Sequence, residues 1–151
     1  MANLPLIYDS TASPHAKDEW RVFVPENKFY EIRHPASWDV GGGKTYDGQN
    51  FHSFGAQTNK GGIDGIVSIY DYIDHDPGYS TKTPAKVDEE ANIILDGEPA
   101  VLRKFEDYQT HLPIIVVRTV HPRTGCNLVI ALYKTQYQDD FSKMLESFRF
   151  R

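Results

Sequence analysis

The 151-residue chain has a single cysteine, Cys126. It cannot close an intramolecular disulfide, and the cysteine signature of an oxidising compartment is missing. Positive charge is in deficit: 16 Lys and Arg face 21 Asp and Glu, for a net charge of −5. That balance leaves no sequence-wide cation to neutralise phosphates or anionic lipid, so nucleic-acid binding is not expected. Long apolar runs are missing as well. The longest, Leu112 to Val117 and Leu128 to Tyr133, fall far short of the roughly 20 residues that span a bilayer. Met1 to Tyr8 has neither a basic stretch nor a full apolar core, so no signal peptide is visible unless one has been removed.

Catalytic signatures are equally scarce. There is no Gly-x-Ser-x-Gly elbow and no Ser-x-x-Lys pattern, which removes two common serine nucleophiles. Gly41-Gly-Gly-Lys44-Thr45 invites comparison with a phosphate loop, but that pattern needs a glycine where Trp38 stands; the stretch reads as a flexible β-turn loop. The six histidines, His15, His34, His52, His75, His111 and His121, show none of the close pairings that seat zinc. Cys126 has no base near it in sequence and reads as a small buried hydrophobe. His34 or His121 as a general base would need a carboxylate or nucleophile within hydrogen-bond reach.

What is present is a foldable chain: 40% hydrophobic, 13% aromatic and 25% charged residues, in a length that suits one domain at about 100–200 residues each. Residues 1–19 mix Pro, Ser, Thr and charge without a period and read as a linker; the domain is expected over residues 20–151. Trp20 to Val24 and Phe29 to His34 read as a hairpin ended by Pro35, with Trp38 packing inward. Asn50 to Gln57, Gly65 to Tyr72, Ala91 to Leu95, Ala100 to Phe105, Leu112 to His121 and Cys126 to Lys134 read as further strands. Their short links imply an antiparallel meander. Asp88-Glu89-Glu90 reads as a solvated loop edge or a short helical turn. Tyr137, Phe141, Met144, Leu145 and Phe148 recur on one helical face, behind Asp139 and Asp140 at the start of the helix. The fold class is therefore α+β: a twisted, mainly antiparallel sheet closed by a C-terminal amphipathic helix.

Two sets of residues are candidates for a site. Asp71, Asp74, His75 and Asp76 lie within six residues where a strand enters the Pro77-Gly78 turn. Carboxylates suit Ca²⁺ or Mn²⁺, and imidazole suits Zn²⁺ and other transition metals. The alternative is an ordinary solvated turn, since no calcium-loop spacing is present. Tyr72, Tyr79, Tyr108, Tyr133 and Tyr137 carry apolar rings with polar tips, the residue type favoured at protein interfaces; an ordinary sheet surface is the alternative.

Three stretches together carry a family resemblance. They are Trp20-Arg-Val-Phe-Val24 with Tyr30-Glu-Ile-Arg-His-Pro-Ala-Ser-Trp38, then Leu95-Asp-Gly-Glu-Pro-Ala100, and finally Leu128-Val-Ile-Ala-Leu132 with Asp140-Phe-Ser-Lys-Met-Leu-Glu-Ser-Phe-Arg-Phe150. In order and spacing the chain resembles the PsbP-like domain family over residues 20–150. The resemblance implies an α/β/α sandwich, shared with a small Ran-binding nuclear import factor of fungi. It also implies a non-enzymatic binding or accessory role. Relatives include extrinsic photosystem II subunits that influence calcium and chloride retention, GTPase binders and bacterial lipoproteins. Tyr8 to Pro14 resembles the spacer that follows the lipid-attached cysteine of bacterial members, which implies an extracytoplasmic protein at the cell envelope or surface, with its anchor upstream. One departure is Thr83 to Glu90, too short for the longer helix many relatives carry there, which implies a sheet face that is partly bare or covered by the N-terminal tail or a partner.

Overall fold

The computed structural model describes residues 19–44, 50–72, 87–107 and 110–151. Its elements are β1 (Trp20–Phe23), β2 (Tyr30–Pro35), β3 (Asp39–Lys44), β4 (Asn50–Gln57), β5 (Ile63–Tyr72), β6 (Val87–Leu95), β7 (Glu98–Glu106), β8 (Pro113–Val120), β9 (Asn127–Leu132), a 3-10 turn (Thr135–Tyr137), α1 (Gln138–Ser147) and β10 (Arg149–Phe150). A seven-stranded sheet runs β3-β4-β5-β9-β8-β7-β6, and a small second sheet runs β1-β2-β10. Every pairing is antiparallel. The large sheet is thus two meanders, β3 to β5 and β6 to β9, joined where β5 lies against β9.

Strand alternation sorts the side chains between two faces. Val67, Ile69, Leu128, Ile130, Leu132, Ile115 and Val117 stand in register on one face, and on them pack Tyr30 and Ile32 of the small sheet and Phe141, Met144 and Phe148 at the C-terminal helix. Both faces of β9 are buried, so its sequence is continuously apolar rather than alternating. On the opposite face Phe105, Ile114, Val116, Val129 and Ala131 form a second cluster, where the Tyr70 and Tyr133 hydroxyls share a hydrogen bond of 2.6 Å. The helix begins with Asp139 and Asp140 in its first turn, where carboxylates favour the exposed amides. It ends as Ser147 donates to the Met144 carbonyl (2.7 Å) and accepts the Arg33 amide (2.9 Å), which ties the helix to β2. The α+β class, the initial hairpin closed by Pro35, the inward Trp38 and the buried Cys126 all agree with the sequence.

Two segments differ from expectation. Gly41 to Lys44 is no loop but most of β3, an edge strand paired along its length with β4. Its glycines serve close approach: a Cβ on Gly42 would lie 2.7 Å from Cδ2 of His52, and one on Gly41 2.7 Å from Cγ1 of Ile63. Residues 87–90, expected as a turn or solvated edge, begin β6. Two of their acidic side chains have partners across the sheet, where Glu90 meets Arg103 at 2.8 Å and Glu89 meets Lys104 at 3.6 Å. Such cross-strand ion pairs support a strand whose own composition argues against one. The two-residue β10 is a further strand that the sequence pattern did not reveal.

Candidate binding site

A polar cleft opens at the end of the two-layer core where β3, β4 and β5 meet the β1–β2 turn. Lys44 stands opposite Asn50, Asn50 opposite Asp71 and Asp71 opposite Leu128. One cross-strand row therefore runs from a cation at the sheet edge, through a carboxylate, into the apolar core. Asp71 is only 5% exposed. The β1–β2 turn reaches over it: Asn27 Nδ2 donates to Asp71 Oδ2 at 2.5 Å, while Asn27 Oδ1 accepts the Phe29 amide at 3.1 Å. Lys44 Nζ donates to Asn50 Oδ1 at 2.8 Å. A cavity of about 610 Å³ is lined by Glu26, Asn27, Gly42, Lys44, Asn50 and His52. Behind it, Asp71 Oδ1 and the Tyr30 hydroxyl are buried without a hydrogen-bond partner among the described residues, a costly arrangement for two polar atoms.

The electrostatics follow from that burial. Desolvation pushes the Asp71 carboxyl above its ordinary range, against the opposing pull of the Asn27 hydrogen bond and of His52 and Lys44. Desolvation likewise lowers His52, opposed by the charges of Asp71 and Glu26. The Tyr30 phenol is raised well above its usual value, first by burial and then by the neighbouring Asp71 charge. These directions give a signed prediction. Above the folded pKa of Asp71 the native state carries the whole cost of the buried charge; as pH falls through it, the native carboxyl protonates first, and the cost is gone below the unfolded value of about 3.9. Asp71→Asn is therefore more stable than the parent at neutral pH, and the gap closes as pH is lowered towards about 4. Urea unfolding of both proteins across that range checks it, and a gap that stays constant or widens on acidification refutes it.

Of the residues that the sequence singled out, the structure places Asp71 among Asn27, His52 and Lys44. Asp74, His75, Asp76, Tyr79 and Tyr108, and the side chain of Tyr72, lie outside the described residues. Among the described residues no group of three or more His, Cys, Asp or Glu is arranged to hold a metal ion. Tyr133 is half-buried and bonded to Tyr70; Tyr137 packs edge-on against Trp38, with ring centroids 5.7 Å apart, at the margin of the core. The two candidate bases are occupied with backbone. His34 Nδ1 donates to the Pro35 carbonyl at 2.9 Å. His121 Nε2 donates to the carbonyls of Phe29 (2.8 Å) and Arg151 (2.9 Å), and its Nδ1 accepts the amides of Arg123 (3.1 Å) and Thr124 (3.2 Å). Asn27 and His52, which complete the cleft, carried no local signal: one sits in a turn and the other on a glycine-flanked edge pair, and only tertiary contact brings them to Asp71.

A second surface lies at the other end of the large sheet. Ile94 stands opposite Pro99, and Val120 follows Thr119, the partner of Ala100. Alternation therefore puts Ile94, Pro99 and Val120 in one row on the face away from the helix. Ile94 is 70% and Val120 52% exposed. A groove of about 740 Å³ runs beside them, lined also by Asn92, Val101 and Arg118.

No family model matches the chain, and no curated protein matches it. Among solved structures it is similar to the Pseudomonas aeruginosa protein of unknown function PA94, with 8% sequence identity and a TM-score of 0.36, over 82% of this chain and 90% of that one.

Proposed function

We propose that the protein is a non-enzymatic binding module that takes a protein partner on the sheet surface around Ile94, Pro99 and Val120. The observation that carries this reading is the exposure of Ile94 and Val120 in one cross-strand row beside a groove. Large apolar side chains in a contiguous exposed row are what an interface core supplies, and their burial on association is favourable at about 25 cal/mol per Å². The commitment of His34 and His121 to backbone groups favours binding over catalysis. The resemblance of Tyr8 to Pro14 to a lipoprotein spacer favours work at the cell envelope. In a pull-down from envelope extract of the source organism at physiological salt, the parent protein retains one stoichiometric partner. The variant Ile94→Asp with Val120→Asp melts at the parent temperature and loses it. Recovery of no partner, or equal recovery by the variant, overturns the reading.

A second reading is favoured by the two partnerless oxygens of Asp71 and Tyr30 behind the polar cleft: a small polar ligand or a divalent cation bound there. Its mark is a rise in melting temperature with Ca²⁺, Mn²⁺ or Zn²⁺ that Asp71→Asn abolishes, and a flat series removes the cation.

A further inference from the structure

Among the described residues the large sheet ends at β6, and no strand pairs beyond it. It is nine residues long, against about five or six for an ordinary strand. Edge strands left open in this way are templates for another chain, and proteins commonly blunt them with proline, charged side chains, bulges or shortness. Within β6 there is no proline, and its charged residues and its register shift are confined to the start, over residues 87–90. The six residues from Glu90 to Leu95 pair with β7 without interruption.

The chemistry along this edge is graded. At its beginning the sequence is Asp88-Glu89-Glu90; at its end it is Ile93-Ile94-Leu95. On the face away from the helix the exposed side chains are, in order, Glu90, Asn92 and Ile94. Glu89 and Glu90 already contact Lys104 and Arg103, but these pairs are open to solvent on the carboxylate side, and such pairs are weak. Glu89 and Glu90 therefore keep more than half of their side-chain surface in solvent, 57% and 56%. A second copy of this chain would not complement the edge: paired antiparallel about Ala91, it would set Glu89 against Ile93 and bring no cation to the acidic end, between two chains that each carry −5.

We infer that β6 is a strand-addition site for a protein partner whose docking segment is extended, runs antiparallel to β6, is apolar where it passes Ile94 and carries Lys or Arg where it passes Glu89 and Glu90. Main-chain hydrogen bonds to the open edge supply affinity, and the graded side chains supply register and direction. The inference rests on the partner-binding reading and narrows it, since the apolar row at Ile94, Pro99 and Val120 becomes the floor against which the apolar half of the added strand packs.

The probe is a fluorescently labelled peptide of alternating valine and threonine that ends, at its C-terminus, in two lysines. Binding is followed by anisotropy, and its place by amide hydrogen exchange. At saturation the exchange of β6 amides slows by about tenfold while that of β3 is unchanged, and the variant Glu89→Lys with Glu90→Lys weakens binding by about tenfold, as the loss of two charge contacts implies; its melt falls, because Lys104 and Arg103 then face like charge, and binding is compared well below that melt. Unchanged exchange in β6, or equal binding of a peptide ending in two glutamates, overturns the inference. So does a dimer in sedimentation whose β6 amides are protected without peptide, since a second copy would then be the occupant. The two readings fail separately: a partner that is recovered from extract and still binds the Glu89→Lys, Glu90→Lys variant leaves partner binding standing and removes strand addition. Peptide binding at β6 with no partner in extract does the reverse.

Discussion

Phe148→Ala lowers the free energy of unfolding by about 3–5 kcal/mol, which moves the thermal midpoint by roughly 10 °C in a domain of this size. Phe148 is fully buried. Its ring stacks on Tyr30 at 5.5 Å and 17° and meets Phe150 edge-on at 5.0 Å and 83°. It is also the residue at which α1 gives way to extended backbone, with φ −64 and ψ 136, and its amide donates to the Leu145 carbonyl. The ring therefore fills the junction of the helix, the small sheet and the large one. Each wall of the resulting hole is held by a different element, so the hole collapses poorly, and poor collapse is what sets the upper end of such losses. Urea unfolding with an unchanged m-value measures it. Phe148→Leu, which keeps most of the volume, loses much less; a loss below about 1 kcal/mol for the alanine variant is incompatible with this packing.

His121→Ala is the second large effect, at about 3–4 kcal/mol from backbone groups left unpaired together with a void. The imidazole is 2% exposed and sits between Phe29 and Phe150, at centroid distances of 5.6 and 5.3 Å. The hydrogen bonds at its two nitrogens bind the turn after β8, the residue before β2 and the last residue of the chain into one knot. Two further bonds run parallel to it, from Arg123 Nη2 and the Arg151 amide, to the carbonyls of Arg151 (2.6 Å) and Phe29 (2.9 Å) respectively. The loss should be local as well as global. Exchange of the Arg151 amide accelerates in the variant well beyond what the change in overall stability explains, and an Arg151 amide as protected as in the parent would refute the knot.

The parts of the fold that were legible in the sequence are those governed by period. The helical face of Phe141, Met144 and Phe148 and the apolar runs of β8 and β9 announce themselves because buried surface repeats at the spacing of the element. Gly41 to Lys44 failed the same test, since glycine signals a turn in sequence but here makes room for His52 of β4 and Ile63 of β5. Glu89 and Glu90 failed it because their counter-ions, Arg103 and Lys104, belong to the next strand. The candidate cleft was half legible. Asp71 stood out as the first of a run of carboxylates, but its company in the structure is Asn27 and His52, 44 and 19 positions back along the chain, and no spacing rule connects residues that meet only through the pairing of β4 with β5 and the folding over of a turn. The place of β6 at the edge of the sheet among the described residues was invisible for a related reason: an edge is a property of sheet order, which residue patterns do not encode.

The joint between β5 and β9 has a consequence for how fast the protein reaches its native state. Val67 to Tyr72 pair with Asn127 to Leu132, so this seam closes a loop of more than fifty residues, whereas every other pairing of the large sheet joins neighbours in sequence. Closing a long loop spends chain entropy before any contact repays it. Domains dominated by such distant pairings fold in milliseconds to seconds rather than microseconds. The two meanders can each assemble from local contacts, and the rate-limiting event is then their meeting along β5 and β9. Replacements at Val67 or Ile69 should accordingly slow refolding in proportion to the stability they remove, while replacements within the β6–β7 hairpin should chiefly hasten unfolding.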